Sequence, residues 1–134
     1  ALLPDDRRMR VNVSLPENMM VKGNPTLLTS IFKNLTDNAI AYSGGRDIYI
    51  NATLNNSDAY TITVGDNGIG VDEEHIGHIF ERFYRIDKGR SRKLGGTGLG
   101  LSIVKNAVLF HGGDIEVYNR KTGGLEFKFT LPKA

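Results

Sequence analysis

Residues 95–105 read Gly-Gly-Thr-Gly-Leu-Gly-Leu-Ser-Ile-Val-Lys, with four glycines in the first six positions. Glycine inside a helix costs about 1 kcal/mol relative to alanine. Yet these glycines lead straight into a helical pattern, which makes sense where side chains would obstruct a close approach. Gly96, Gly98 and Gly100 let backbone N–H groups come near an anion at a helix start, where the dipole also favours negative charge. Two familiar phosphate loops do not match. The G-x-x-x-x-G-K-[ST] pattern needs its lysine earlier than Lys105, and G-x-G-x-x-G fails at Leu101 with no strand before it.

The rest of the chain punctuates clearly. Positions 9–15 alternate, with Val11, Val13 and Leu15 on one side, and predict a strand. Asn24-Pro25 predicts a helix start, Asn as cap and Pro at the first helical position. Leu27, Leu28, Ile31, Phe32, Leu35 and Ala39 then recur at helical spacing until Ser43-Gly44-Gly45. Segments 47–54 and 60–65 predict paired strands. Positions 73–84 predict short helices, and 85–95 a polar, mobile loop. A second long helix spans 99–110, closed by His111-Gly112-Gly113. A final hairpin runs over 115–118 and 125–131, with Pro132 ending it. Strands and helices segregate into an expected two-layer α/β sandwich: a mixed, mostly antiparallel sheet with helices on one face.

The 134 residues suit a single domain, and the 40% apolar share suffices for a core. A net charge of +2 does not argue for nucleic acid. Without cysteine, disulfides, thiolate metal sites and cysteine catalysis are excluded. No apolar run is long enough to span a bilayer.

Three further stretches carry chemistry. Asn34, Asn38 and Tyr42 lie four residues apart along the border of the first helix's apolar stripe. They are either satisfied edge residues or a polar row facing a ligand cleft, where an Asn oxygen can coordinate Mg²⁺. Asp66-Asn67-Gly68-Ile69-Gly70 follows a strand. It is either an ordinary turn or a carboxylate able to accept a hydrogen bond from an adenine amine. Phe80-Glu81-Arg82-Phe83-Tyr84-Arg85 opens a run that also holds Lys88, Arg90, Arg92 and Lys93. The run is either a solvated face or a phosphate partner. Its aromatics precede the bases rather than interleave with them, which disfavours single-stranded nucleic acid.

In this order the four stretches resemble the ATP-binding catalytic domain of sensor histidine kinases, with its Bergerat fold shared by gyrase, Hsp90 and MutL. Asn34-Leu35-Thr36-Asp37-Asn38-Ala39 resembles the N box and residues 66–70 the G1 box. Residues 80–85 resemble the F box and residues 95–101 the G2 box. The closing segment 124–132 is similar to the family's last strand. The likeness covers nearly the whole chain and implies one domain over 1–134, cut from a larger protein.

The resemblance implies roles. Asn38 would hold Mg²⁺, with Asn34 supporting the nucleotide beside it. Asp66 would bind the adenine amine, Gly68 and Gly70 would let the chain pass close to the base, and Tyr42 would lie against the ring. Arg85 would reach the phosphates; Asn34 and Arg85 are the residues assigned to the chemistry. Gly96, Thr97, Gly98, Leu99 and Gly100 would form the hinge and phosphate-facing end of an ATP lid, which would order on nucleotide binding. Phe80 and Phe83 would anchor the lid's near end by packing on the core. Two departures stand out. Ala41 replaces a frequent Lys, so either one phosphate contact is missing or a lid base such as Lys88, Arg90, Arg92 or Lys93 replaces it, and Asn24 replaces a frequent Asp.

The ATPase branches of this group resemble Glu-x-x-x-Asn where this chain has Asn34. Asn cannot take a proton, and Asp37 is turned about 60–100° from the row. Fast hydrolysis is therefore disfavoured. Phosphoryl transfer to a histidine asks mainly for positioning, Mg²⁺ and positive charge. None of the three histidines resembles the family's acceptor. His75 and His78 lack a third metal ligand and read as surface residues, and His111 is expected at a helix C-terminus.

The implied function is binding of Mg-ATP and transfer of its γ-phosphoryl group to a histidine on a separate dimerisation domain, in two-component signalling. The alternatives are a slow ATPase or a non-catalytic nucleotide-binding module. The implied partners are that dimerisation and phosphoacceptor domain and a response regulator, without nucleic acid or direct membrane contact. The implied location is the cytoplasm, with a membrane-anchored bacterial sensor as parent.

Overall fold

Tyr60, Ile62 and Val64 alternate with smaller residues along one strand, so one of its faces is wholly apolar and must be covered. The computed structural model describes residues 9–55, 58–84 and 100–134. Five strands, β1 (Arg10–Ser14), β2 (Asp47–Leu54), β3 (Ala59–Asp66), β4 (Ile115–Asn119) and β5 (Leu125–Pro132), form one sheet in the order β1-β2-β3-β5-β4. Only β1 and β2 pair in parallel; the other three pairings are antiparallel. Register carries the apolar row across the sheet: Ile62 lies opposite Phe129, which lies opposite Ile115, and Val64, Phe127 and Val117 repeat the pattern.

Helices α1 (Pro25–Tyr42) and α3 (Gly100–Phe110) pack side by side against this row. Helix α1 buries Ile31, Leu35 and Ala39, one residue per turn. Helix α3 buries Val104, Ala107 and Val108. Asn24 caps α1 by accepting the Leu27 N–H at 3.0 Å, and Gly44 leaves it at φ +71°. Phe32 of α1 meets Phe129 with ring centroids 5.8 Å apart. These helices and strands share one core, the two-layer sandwich expected from the residue pattern.

Three features differ from expectation. Strand β1, at one edge of the sheet, is exposed throughout, Val11 and Val13 included, and Leu15 just after it is exposed too, whereas the other edge strand, β4, buries Ile115 and Val117. Over 73–84 only α2 (Glu73–Ile76) is α-helical, and turns follow it. Phe80 packs edge-on against Phe127 at 5.9 Å, as expected. Phe83 does not join the core: it sits at φ +66°, 59% exposed, beneath the Arg82 guanidinium. That backbone region is rare for a bulky side chain, and it turns the ring outward.

Candidate functional site

Asp66 continues the inward row of Tyr60, Ile62 and Val64, so the core face of β3 ends on a carboxylate. The residue is 5% exposed. Its Oδ1 accepts the Gly68 N–H at 2.8 Å and the Leu125 N–H at 3.4 Å. Among the described residues no donor reaches Oδ2. Burial pushes the Asp66 carboxyl above the ordinary aspartate range, while the two N–H groups and the Arg120 charge pull it back. The result is a buried acceptor with one oxygen committed to the fold and the other available.

Close backbone approaches build this pocket end. A Cβ on Gly68 would stand 2.0 Å from the Ser43 carbonyl oxygen, which accepts the next residue's N–H, that of Ile69, at 2.8 Å. The C-terminal cap of α1 is thereby joined to the loop after Asp66. On the other side, Gly124 has φ +96°, and a Cβ there would stand 2.0 Å from the Asp66 carbonyl oxygen. Asn119 holds the loop's far end, accepting the Val71 N–H at 2.9 Å and donating to the Val71 carbonyl at 2.7 Å. Gly70, at φ +69°, lies against the same Asn119 side chain.

Asn67 serves the fold instead. Its Oδ1 accepts the N–H groups of Arg46 and Asp47, both at 2.9 Å, and its Nδ2 donates to Asp47. Hydrogen bonds from Arg10 and Asn12 hold the Asp47 carboxyl below its usual range.

The first helix presents the expected polar row. Asn34 donates to the Ser30 carbonyl at 2.8 Å, and its Oδ1 would lie 3.1 Å from a Cβ on Gly100. That side-chain-free contact brings the start of α3 against the Asn row. Asn38 and Tyr42 are half-buried, and among the described residues neither side chain has a hydrogen-bond partner. An unpaired carboxamide oxygen at the edge of a core is a suitable ligand for a hard cation such as Mg²⁺. Asp37 points elsewhere, exposed and paired with Lys33 at 2.8 Å.

Arg85, Gly96, Thr97, Gly98 and Leu99 lie outside the described residues, as do Lys88, Arg90, Arg92, Lys93 and the loop they populate. His75 is more enclosed than a surface histidine: its Nδ1 meets the Tyr84 hydroxyl at 2.6 Å, and His78 stacks on the same ring. Ligand atoms of Asp72 and Glu74 lie within 4.8 Å of the His75 ring nitrogen, an arrangement exposed acids show without any ion. Asn119 and Arg120 escaped the residue reading, and Ser43 entered it only as part of the helix end. The one local hint of the first two was the Gly123-Gly124 turn beside an Asn-Arg pair.

Comparison with known proteins bears on family and fold. Residues 23–134 match the model of the "Histidine kinase-, DNA gyrase B-, and HSP90-like ATPase" family. The sensor-like histidine kinase SenX3 of Mycobacterium tuberculosis is 40% identical over 128 residues, covering 96% of this chain and 31% of that protein. The sensor histidine kinase WalK of Bacillus subtilis is 39% identical over 122 residues, 89% of this chain and 20% of that protein. The chain thus spans about a third or less of these relatives. Among solved structures, the catalytic domain of histidine kinase ThkA in a nucleotide-free form superposes with a TM-score of 0.78 at 29% identity, covering 95% of this chain and 82% of that one. Full-length ShkA in complex with AMPPNP superposes with a TM-score of 0.79 at 25% identity, covering 96% of this chain and 26% of that one. The chain therefore belongs to the histidine kinase-, DNA gyrase B- and HSP90-like ATPase family, and it shares the fold of histidine kinase catalytic domains.

Proposed function

We propose that this chain binds Mg-ATP and donates the γ-phosphoryl group to a histidine on a separate dimerisation domain of its parent protein. The carrying observation is the Asp66 carboxylate, buried at the end of a core strand with Oδ1 occupied and Oδ2 free of donors among the described residues. An acceptor there suits the exocyclic amine of adenine, whereas guanine presents a carbonyl oxygen at that position. Tyr42 would cover the base, with Gly68 and Gly70 keeping the loop close to it.

At the other end, Asn38 would hold Mg²⁺, which when bound neutralises phosphate charge. Asn34 holds its carboxamide on the Ser30 carbonyl, beside the start of α3, where Gly96, Gly98 and Gly100 would face the phosphates. Arg85 would supply positive charge to the transferring group. The reaction breaks the bond from the γ-phosphorus to its bridging oxygen and forms one to the acceptor nitrogen, releasing ADP. Asn34 offers no base for activating water, which favours transfer over hydrolysis. The complex of ShkA with AMPPNP supports nucleotide occupancy of this fold. The names of the relatives support a sensor kinase parent, with a response regulator receiving the phosphoryl group next. Among the described residues no helix is long and apolar enough to cross a membrane.

The test mixes the chain, MgATP and the parent's dimerisation helices and looks for acid-labile phosphohistidine. Transfer supports the proposal. ATP binding without transfer to a supplied acceptor favours a non-catalytic module, and steady-state hydrolysis lost in Asn34→Ala favours a slow ATPase.

A further inference from the structure

The outer face of the sheet carries a row that the nucleotide reading leaves unused. Register places Tyr49, Gly65 and Glu126 side by side on β2, β3 and β5, and Tyr118 of β4 opposite Glu126. Gly65 leaves a gap in the middle of this row. A Cβ there would meet the Glu126 Oε1 at 3.0 Å and the Arg120 Cδ at 3.4 Å. Arg120 fills the gap. Its guanidinium lies 4.8 Å from the centroid of the Tyr49 ring, and its Nε is 3.9 Å from Glu126. From there its Nη1 donates to the Asp66 backbone carbonyl at 2.6 Å. The side chain is only 23% exposed, low for an arginine, and Glu126 is also held by the Tyr118 hydroxyl.

We propose that Arg120 is a positioning residue for base recognition: laid over Gly65 between Tyr49 and Glu126, it grips the Asp66 backbone from behind and sets the carboxylate that meets adenine. The inference rests on the reading of Asp66 given above. Asp66 is the last residue of β3: β2 still pairs with it through Ile48, but the pairing with β5 ends at Gly65, so on that side its position depends on groups from outside the ladder. The Leu125 N–H supports the carboxylate from the core side and Arg120 supports the carbonyl from the outer side. Among the described residues the Gly68 and Leu125 N–H groups bond the carboxylate, and Arg120 is the charge that acts on it. Arg120 thus also favours the ionised form, which accepts the amine hydrogen bond without competing as a donor. An arginine is suited to both tasks, because its planar head stacks on an aromatic ring while donating in its own plane.

Calorimetric titration with ATP across pH 4 to 8 tests this in Arg120→Gln, Arg120→Lys, Asp66→Asn and the Arg120→Gln/Asp66→Asn double variant. Arg120→Gln should weaken ATP binding by about 3- to 10-fold, less than the full worth of one charge-assisted hydrogen bond because the bond reaches the base only through the Asp66 backbone. It should also move the acid limb of the affinity profile to higher pH, while Arg120→Lys leaves the limb near its original place. In the Asp66→Asn background the Arg120 substitution should add little. Tyr49→Leu, which removes only the stacking surface, should weaken binding in the same direction by less, and it covers the case in which Arg120→Gln does not fold. If Asp66→Asn weakens binding but Arg120→Gln matches the parent in affinity and acid limb, the positioning role is wrong and the Asp66 reading stands. If Asp66→Asn itself leaves ATP affinity intact, both fall.

Discussion

His111 accepts the backbone N–H of Asn24 on its Nε2 at 3.0 Å, while its Nδ1 meets the Ala107 carbonyl at 2.7 Å. One imidazole, donating from Nδ1 and accepting at Nε2, closes the C-terminus of α3 and ties it to the cap of α1. Both helices flank the proposed nucleotide cleft, so this bridge sets their relative placement at the end away from Ser43. Gly23 makes room for it, since a Cβ there would stand 2.3 Å from Nε2.

His111→Ala removes both bonds and leaves the Ala107 carbonyl and the Asn24 N–H without this partner. The expected loss is about 1–3 kcal/mol of unfolding free energy. Urea denaturation at neutral pH measures it. Gly23→Ala, which displaces the ring without deleting it, should lower stability in the same sense.

Asp66 and Asp47 should respond to pH with opposite sign. Asp66 is raised by burial, so the folded state holds its proton more tightly than the unfolded chain, and ionisation costs stability as pH rises from 3.8 through the raised folded value. Asp66→Asn should therefore gain melting temperature relative to the parent across that window and keep the gain at neutral pH, while losing ATP affinity. Asp47 is lowered by its hydrogen bonds to Arg10 and Asn12, so its contribution is present above 3.8 and fades as pH falls through the folded value. Asp47→Asn should be less stable than the parent at pH 7 and converge with it in acid. Melting curves of both variants from pH 2.5 to 7 check the signs; parallel curves would contradict them.

Gly124→Ala places a Cβ against the Asp66 carbonyl at a φ of +96°. The strain should cost about 1–3 kcal/mol of stability. Because the turn also carries the Leu125 N–H to Asp66, ATP affinity should fall with it. Thermal melting and calorimetry on the same sample give both readouts.

Asn38→Ala removes a carboxamide that has no hydrogen-bond partner among the described residues. Affinity for ATP in the presence of EDTA should change little, whereas the gain on adding Mg²⁺ should shrink by about 10-fold or more, the loss typical of a disturbed metal site. Calorimetry with and without Mg²⁺ measures the difference. An undiminished Mg²⁺ effect would remove Asn38 as the metal residue.

What the residues alone determined is local and periodic. The Asn24-Pro25 start, the buried line of Ile31, Leu35 and Ala39, the alternation along β3 and the glycine turns each follow from neighbours within a few positions. The order of the four motifs made the family and its two-layer fold legible, and the spacing of Asn34 and Asn38 put them on one line of a helix. What the tertiary structure decided is which distant groups meet. Asp66 receives Leu125 from 59 positions away and Arg120 from 54, and Asn24 receives His111 from 87. Phe83 fits an apolar pattern as well as Phe80 does, yet a left-handed backbone turns it to solvent. No local period encodes such pairs, because strand register and helix docking select them once the core closes. The second tier of the site, Ser43, Asn119 and Arg120, therefore becomes visible only in the folded chain.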